Sequence, residues 1–329
     1  MKTLLQYLFA GNSLSQDEAF VAMKDIASGH QNDAQVAAFL SVYNMRVPTV
    51  HEITGFRMAL LDLAIPLQFK HKNILDIVGT GGDGKNTFNI STLACFVCAG
   101  AGVKVAKSGN YGFSSISGAS NVLEQTGITF ATTQHQLDEQ LEVSDITFIH
   151  APLFFPALKN VAAVRKQLQL KTIFNILGPL INPCNPKTKL IGVHSDFVGK
   201  LYRDVLKQTD INFAIVHALD GYDEISLTSD TKIFTKKKIQ VHEPSSFGFK
   251  PVNPQDLFGG NTVEANARIF RNVLKGKGTT AQHNVVLANA ALGISLYEEC
   301  SYHAALEMAK DSLYGGKALQ CFNKLKTVK

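Results

Sequence analysis

Apolar and polar positions along this chain follow two different periods, and the change falls near residue 70. Over residues 1–70 apolar side chains recur at helical spacing. The stretch SQDE (Ser15 to Glu18) is a capping box, in which Ser15 accepts from the third helical amide while Glu18 reaches back. Gly29 is placed to end that helix. A second helix is expected from about Asp33, with Val36, Leu40 and Tyr43 on one face. TVHE (Thr49 to Glu52) is another capping box after Pro48; it opens a helix carrying Ile53, Phe56, Leu60 and Leu63, stopped by Pro66. Three short amphipathic helices bury little by themselves. They need a further segment to pack on, or each other across a dimer interface.

From residue 74 the period shortens. ILDIV (74–78), VKVAK (103–107), ITFIH (146–150), TIFNIL (172–177), KLIGV (189–193) and FAIVHAL (213–219) all read as strands, alternating with helical segments. That alternation predicts an α/β domain with a largely parallel sheet. LACFVCAG reads as a buried helix within 91–101. Beyond residue 223 come shorter strands, KIFT and KIQVHE, and three helical segments over 262–275, 279–299 and 302–313. No repeat or low-complexity segment interrupts the chain.

Composition narrows the class. The 329 residues, 45% hydrophobic, suffice for a large core and suggest two domains or one large one. The net charge of +5 is spread out, and KKK at 236–238 is the one tight basic run, so nothing calls for a nucleic-acid partner. Five cysteines without regular spacing fit a reduced, cytoplasmic protein. Cys95 and Cys98 form a C-x-x-C inside an apolar helix without a second ligand pair, and read as core residues. No run approaches the ~20 apolar residues of a membrane span.

The chemistry is concentrated in VGTGGDGKNTFNIST, residues 78–92. Gly79, Gly81 and Gly84 match the dinucleotide pattern G-x-G-x-x-G. However, the helix should open within the glycines, and the next strand should end in an acidic residue rather than Lys107. The same residues nearly match a Walker A loop, but Asn86 stands where a hydroxyl should bind Mg²⁺, and Asp83 would repel a cradled triphosphate. A third reading fits better: successive glycine amides form a nest for a diphosphate while Asp83 meets sugar hydroxyls or a metal-bound water. Thr87, Asn89, Ser91 and Thr92 add short polar groups at a helix N-terminus, and Lys107 adds a positive charge at the next strand end. KSGNYGFSSISGAS (107–120) is a second Gly/Ser-rich loop, read as the other wall of one phosphate site. ALDGYDEIS (218–226) supplies Asp220, Asp223 and Glu224 after the last long strand, hard oxygen ligands suited to Mg²⁺ shared with a diphosphate.

Six motifs then occur in order: Asp76–Asp83, Thr87–Thr92, Lys107–Asn110, Val164–Lys166, Thr172–Pro183 and Asp220–Ser226. With them the chain resembles the anthranilate phosphoribosyltransferases over nearly its whole length, GGNTVEANARIF (259–270) included. The resemblance implies a small all-helical domain, residues 1–70 with a helical insertion near 160–185, beside an α/β catalytic domain over 71–329. It implies transfer of the phosphoribosyl group from phosphoribosyl pyrophosphate to the amine of anthranilate, with Mg²⁺, in a homodimer formed through the helical domain. It further implies Gly79, Gly82, Asp83, Thr87, Asn89, Ile90, Ser91, Thr92, Lys107, Ser108, Gly109, Asn110, Ser114 and Ser115 as the donor site. Lys107 and Asp83 would act on the reaction; Ser91, Asp223 and Glu224 would serve the metal; Gly79, Asn110 and Arg165 would hold anthranilate. A guanidinium at Arg165 suits a benzoate carboxylate through two parallel hydrogen bonds.

The chain departs from the family pattern at Ser108 (His), Tyr111 (Arg), Ala119 (Ser) and Phe155 (His); Ala163 and Lys171 also differ. The diphosphate and metal residues are intact, while the changes cluster toward the acceptor and the second loop. Lineage drift is the favoured reading; a paralogue with another acceptor, or a non-catalytic nucleic-acid-binding relative, are the alternatives. The intact Asp223–Glu224 pair speaks against the last, since carboxylates repel a phosphate backbone.

Overall fold

The computed structural model describes residues 1–112 and 116–328. The chain forms two compact units, one of residues 1–67 and 151–185, the other of residues 68–150 and 186–329.

The first unit is helical. Helices Gln16–Ala27, Asp33–Met45 and Val50–Asp62 begin at Ser15, Asn32 and Thr49, whose side chains accept from the third helical amide; at Ser15 and Thr49 the full capping box forms. Gly29, at φ +78°, closes the first of them with its amide on the Ile26 carbonyl. A further helix, Lys2–Phe9, precedes them and buries Leu5 and Leu8 against Asp33–Met45. Its two buried positions are too few to show a period in the sequence. Helix Lys159–Leu168 packs on Gln16–Ala27 and Asp33–Met45, so the returning segment supplies surface that three short helices lack.

TIFNIL is not a strand. Residues Ile173–Leu177 form a short helix, because Asn175 Oδ1 accepts from the Thr172 amide at 2.9 Å and Gly178–Leu180 continues as a 3₁₀ turn. β-Branched content alone does not make a strand where no neighbouring strand offers a ladder.

The second unit is built on a seven-stranded sheet. Its strands are β1 (Leu75–Gly79), β2 (Val105–Gly109), β3 (Ile146–His150), β4 (Thr188–Gly192), β5 (Asn212–Ala218), β6 (Thr231–Thr235) and β7 (Ile239–His242), in the order β3-β2-β1-β4-β5-β6-β7. The first five are parallel and the last two antiparallel. The parallel strands are almost wholly buried, which explains their continuous apolar runs. Helix Ile90–Gly100 lies in the middle of the core with Cys95 and Cys98 fully buried among Phe96, Val97 and Leu93. The C-terminal helices Val263–Leu274, Thr280–Glu298, Tyr302–Tyr314 and Lys317–Thr327 close this core; the last of them, not singled out in the sequence, buries Ala318, Cys321, Phe322 and Leu325 at helical spacing. β2 and β4 lie on opposite sides of β1, so the connections leave it in opposite directions. Open parallel sheets bind ligands outside the carboxyl ends of their strands at such a switch point.

One buried charge organises the helical unit. Glu52 is fully buried and accepts from the amides of Leu14 (3.1 Å) and Thr49 (2.8 Å), the Tyr43 hydroxyl (3.0 Å) and the Arg46 guanidinium. Burial alone would raise its pKa; the Arg46 hydrogen bond and the two amides outweigh it and hold the carboxyl below its ordinary 4.5. Its stabilising contribution is therefore complete above about pH 4.5 and is lost as the pH falls through the lower folded value. Glu52→Ala is expected to cost about 3–5 kcal/mol, since it strands the Arg46 charge and two amides. Urea unfolding at neutral pH checks this, and the gap between parent and variant should close in acid.

Candidate functional site

The glycine loop starts where β1 stops. Gly81, Gly82, Gly84 and Asn86 take positive φ of +61°, +72°, +73° and +48°, a backbone path that side chains other than Gly and Asn disfavour. The loop is held on its far side by the segment 257–260. Asn86 donates to the Gly260 carbonyl (3.1 Å), the Gly259 amide to Asn86 (2.8 Å) and the Phe88 amide to Leu257 (3.1 Å). Helix Ile90–Gly100 then begins, with Asn89 at its N-cap and Ser91 and Thr92 in its first turn.

The acidic loop reaches this turn from β5. A side chain at Gly79 would collide with the Asp223 carboxylate, and one at Gly192 with the Asp223 backbone, so β1 and β4 both end in glycine where the acidic loop crosses them. Asp223 Oδ2 accepts from the Gly81 amide at 2.7 Å, and Glu224 Oε1 from the Ser91 amide at 3.1 Å. Burial first, and then the Asp83 charge, push the Asp223 carboxyl up to about 6; burial and the Asp223 charge push Glu224 well above the usual range. Asp220 does something else. It accepts from the Thr228 (2.6 Å) and Ser229 (2.8 Å) hydroxyls and so closes its own loop.

Lys107 lies in the middle of β2, which runs two residues past the strand end expected from the sequence; it is buried with Nζ 2.5 Å from the Ile77 carbonyl and 3.5 Å from Ser91 Oγ. Ser108 presents its amide to Asp76 Oδ1 (3.4 Å), and Asp76 pairs with buried Lys189 at 3.2 Å. Beneath the loops, then, the sheet carries a buried ion pair as well as the Lys107 charge. Asn89 Nδ2 meets the Ser117 carbonyl at 3.4 Å, which ties the first loop to the second. Asn121 Oδ1 accepts from the amides of both Gly112 (2.9 Å) and Gly118 (3.0 Å), closing the second loop across its base. Asn110 is exposed at the mouth, its carbonyl taken by the Ser120 amide. Tyr111 donates to Glu124 (2.8 Å) and sets its ring edge on His150, which in turn bonds Ser120 Oγ at 2.9 Å.

Gly79, Gly82, Asp83, Thr87, Asn89, Ile90, Ser91, Thr92, Lys107, Ser108, Gly109, Asn110, Asp223 and Glu224 thus belong to one unit, on β1, β2, the loops that follow β1, β2 and β5, and the first turn of helix Ile90–Gly100. Asp83 accepts from the Lys85 amide at 3.1 Å and shapes the turn of the first loop. Ser114 and Ser115 lie outside the described residues. Arg165 belongs to the helical unit, on helix Lys159–Leu168, largely buried with its guanidinium 5.2 Å from the Phe174 ring; burial lowers its pKa. Phe155 is buried in the same unit. Gly192 and Asn121 were not singled out by their sequence context. A second strand ending in glycine was a signal for Gly192; Asn121 gave none.

The carboxylates suit a divalent cation. Glu224 Oε2 is buried without a hydrogen-bond partner, and both carboxyls are raised, as acidic groups are when no resident cation compensates them. Two carboxylates and the Ser91 hydroxyl form an all-oxygen set that leaves positions for water and phosphate, the pattern of Mg²⁺ rather than of a closed protein cage.

Comparison with known proteins agrees with this geometry. A family model described as "Glycosyl transferase family, a/b domain" matches residues 71–319, and one described as "Glycosyl transferase family, helical bundle domain" matches residues 2–64. The chain is 48% identical over 325 residues to the anthranilate phosphoribosyltransferase of Flavobacterium johnsoniae, covering 99% of this chain and 98% of that one. It is 50% identical to that of Cytophaga hutchinsonii, covering 98% and 99%. Among solved structures, the anthranilate phosphoribosyltransferase of Thermus thermophilus superposes with a TM-score of 0.92 at 30% identity, over 98% of both chains. The Saccharomyces cerevisiae enzyme in complex with PRPP and Mg does so with 0.91 at 26%, over 99% and 98%.

A carboxyl raised to about 6 must lose its proton before it ligates a cation. Mg²⁺ titrated calorimetrically in the presence of pyrophosphate should therefore bind more weakly as the pH falls through about 6, with more proton release than Mg²⁺ and pyrophosphate give alone, and Asp223→Asn should reduce that excess. An excess unchanged in the variant would remove Asp223 from the metal site.

Proposed function

We infer the reaction from the premise that the chain belongs to the anthranilate phosphoribosyltransferase family: it transfers the 5-phosphoribosyl group of phosphoribosyl pyrophosphate to the amine of anthranilate, with Mg²⁺, in tryptophan biosynthesis. The observation that carries the reading is the meeting of the glycine loop and the acidic pair, through Gly81 on Asp223 and Ser91 on Glu224.

In the site we propose, the glycine-loop amides and Thr87, Asn89, Ser91 and Thr92 hold the diphosphate at the N-terminus of helix Ile90–Gly100. Asp223, Glu224 and Ser91 hold Mg²⁺, which when bound draws off the negative charge that grows on the leaving pyrophosphate. Lys107, buried beside Ser91, adds a fixed positive charge to the same end. Asp83 faces the ribose hydroxyls. As the bond from C1 to pyrophosphate breaks, its electron pair leaves with pyrophosphate, the aromatic amine attacks the oxocarbenium-like carbon, and the proton it then loses passes to water. Asn110 and Arg165 orient anthranilate, the latter by gripping its carboxylate. Positioning and charge stabilisation supply the acceleration, and no nucleophilic side chain is required.

We propose also that the protein is a homodimer through its helical unit and is cytoplasmic, its five cysteines being free. The helical unit exposes Tyr7, Phe9 (65%), Met45 (89%) and Val47, an apolar set that a second copy would cover. No helix among the described residues is long and apolar enough to cross a membrane.

Loss of anthranilate fluorescence on mixing with phosphoribosyl pyrophosphate and Mg²⁺ should be steady and abolished by EDTA. Arg165→Ala should raise the KM for anthranilate about thirtyfold or more, the cost of about 2 kcal/mol or above for removing one partner of a buried charged pair. An unchanged KM would dismiss the carboxylate clamp. Sedimentation should give twice 35.8 kDa, and Phe9→Glu with Met45→Glu should shift the protein toward one copy. A monomeric parent would reject the dimer.

A further inference from the structure

Helix Thr280–Glu298 is a core helix, with Val285, Val286, Leu287, Ala288, Ala290, Ala291 and Ile294 all buried. In the middle of this surface stands one carboxamide, Asn289, 3% exposed. A buried amide without partners costs about 1–3 kcal/mol, so its bonds show what it is for. Asn289 Oδ1 accepts from the Ile225 amide at 3.1 Å, and Nδ2 donates to the Ile225 carbonyl at 2.9 Å. The other Nδ2 proton goes to the Val285 carbonyl of its own helix at 2.8 Å, which fixes the rotamer. The side chain thus pairs with both backbone groups of a single residue, as a neighbouring strand would.

Ile225 follows Glu224 directly, in a segment that belongs to no helix or strand. Two residues on, Leu227 sits at φ +59°, a conformation that costs a non-glycine residue about 1 kcal/mol or more and persists only where its surroundings enforce it. The bonds from Gly81 to Asp223 and from Ser91 to Glu224 also tie the loop to distant residues, but they occupy carboxylate oxygens that a metal must share. Asn289 holds the same loop by its backbone and leaves both carboxylates free.

We propose that Asn289 is a positioning residue for the metal-binding carboxylates, keeping Asp223 and Glu224 in place whether or not their oxygens are engaged by a cation. This rests on the metal-site reading above, and the test separates the two. Outer-shell partners of metal ligands change affinity by about 10–100-fold when removed. Mn²⁺ serves as a paramagnetic probe, its binding followed by electron paramagnetic resonance with phosphoribosyl pyrophosphate present. Asn289→Ala should weaken Mn²⁺ about tenfold or more, with the KM for anthranilate changed less than about twofold. Hydrogen exchange of the 220–227 amides should quicken in the same variant, while that of the remaining core stays as in the parent. Asn289→Ser, which keeps a short hydrogen-bonding group without adding charge, should fall between, and it carries both measurements if the alanine variant does not fold. Unaltered exchange at 220–227 in the variant overturns the proposal. So does parental Mn²⁺ affinity in a variant whose loop exchange has quickened. If the parent itself binds no Mn²⁺, the metal reading fails, and the exchange measurement still decides whether Asn289 anchors the loop.

Discussion

The site depends on a steric permission. Two neighbouring parallel strands, β1 and β4, end in Gly79 and Gly192, and the acidic loop from β5 passes over both at distances no Cβ would allow. With a side chain at either position, Asp223 could not reach the Gly81 amide and Glu224 could not reach the Ser91 amide. The switch point of the sheet would remain, but the carboxylates would stand away from the anion loop. Glu224 in turn takes one amide of a helix N-terminus, that of Ser91, much as a phosphate would, while Asp223 takes the Gly81 amide of the glycine loop. The closeness that the glycines permit is therefore what gives the site its charge problem.

That charge problem is the source of its chemistry. Asp83, Asp223 and Glu224 lie near one another, and the last two are raised because burial and mutual repulsion penalise their ionised forms. A divalent cation held between Asp223 and Glu224 would offset that penalty, and Lys107 adds one further positive charge beside Ser91. One carboxylate oxygen of Glu224 is buried without a hydrogen-bond partner among the described residues, and a cation bound there would contact it.

How much of this was legible in the sequence varied with the range of the interactions. The capping boxes at Ser15 and Thr49 were legible because both partners lie within four residues. The parallel strands were legible because burial on both faces makes them continuously apolar. TIFNIL has the same local composition and folds as a helix, because strand formation needs a neighbour and helix initiation needed only Asn175. Glu52 was legible as a cap, but its encirclement by Leu14, Tyr43 and Arg46 was not, since those partners come from other segments. Asp220, Asp223 and Glu224 look alike in the sequence. They part only through tertiary bonds, as hydroxyls from SLTSD take Asp220 and leave the other two for the site. Asn289 was invisible for the same reason, its partner being 64 residues away.

The departures from the family pattern gain meaning from the contacts they make. Ser108 engages Asp76 through its backbone amide, a bond that any residue can make. Tyr111 is tied by its hydroxyl to Glu124 and by its ring to His150, and His150 holds Ser120, whose amide takes the Asn110 carbonyl. An exposed cation at position 111 would have to find water or a ligand; a tyrosine finds protein. Phe155 lies in the helical core, where an imidazole would need a hydrogen-bond partner and a phenyl ring does not. At Tyr111 and Phe155 the side chain is thus engaged by protein rather than left to solvent or a ligand, whereas at Ser108 the observed bond does not depend on the side chain.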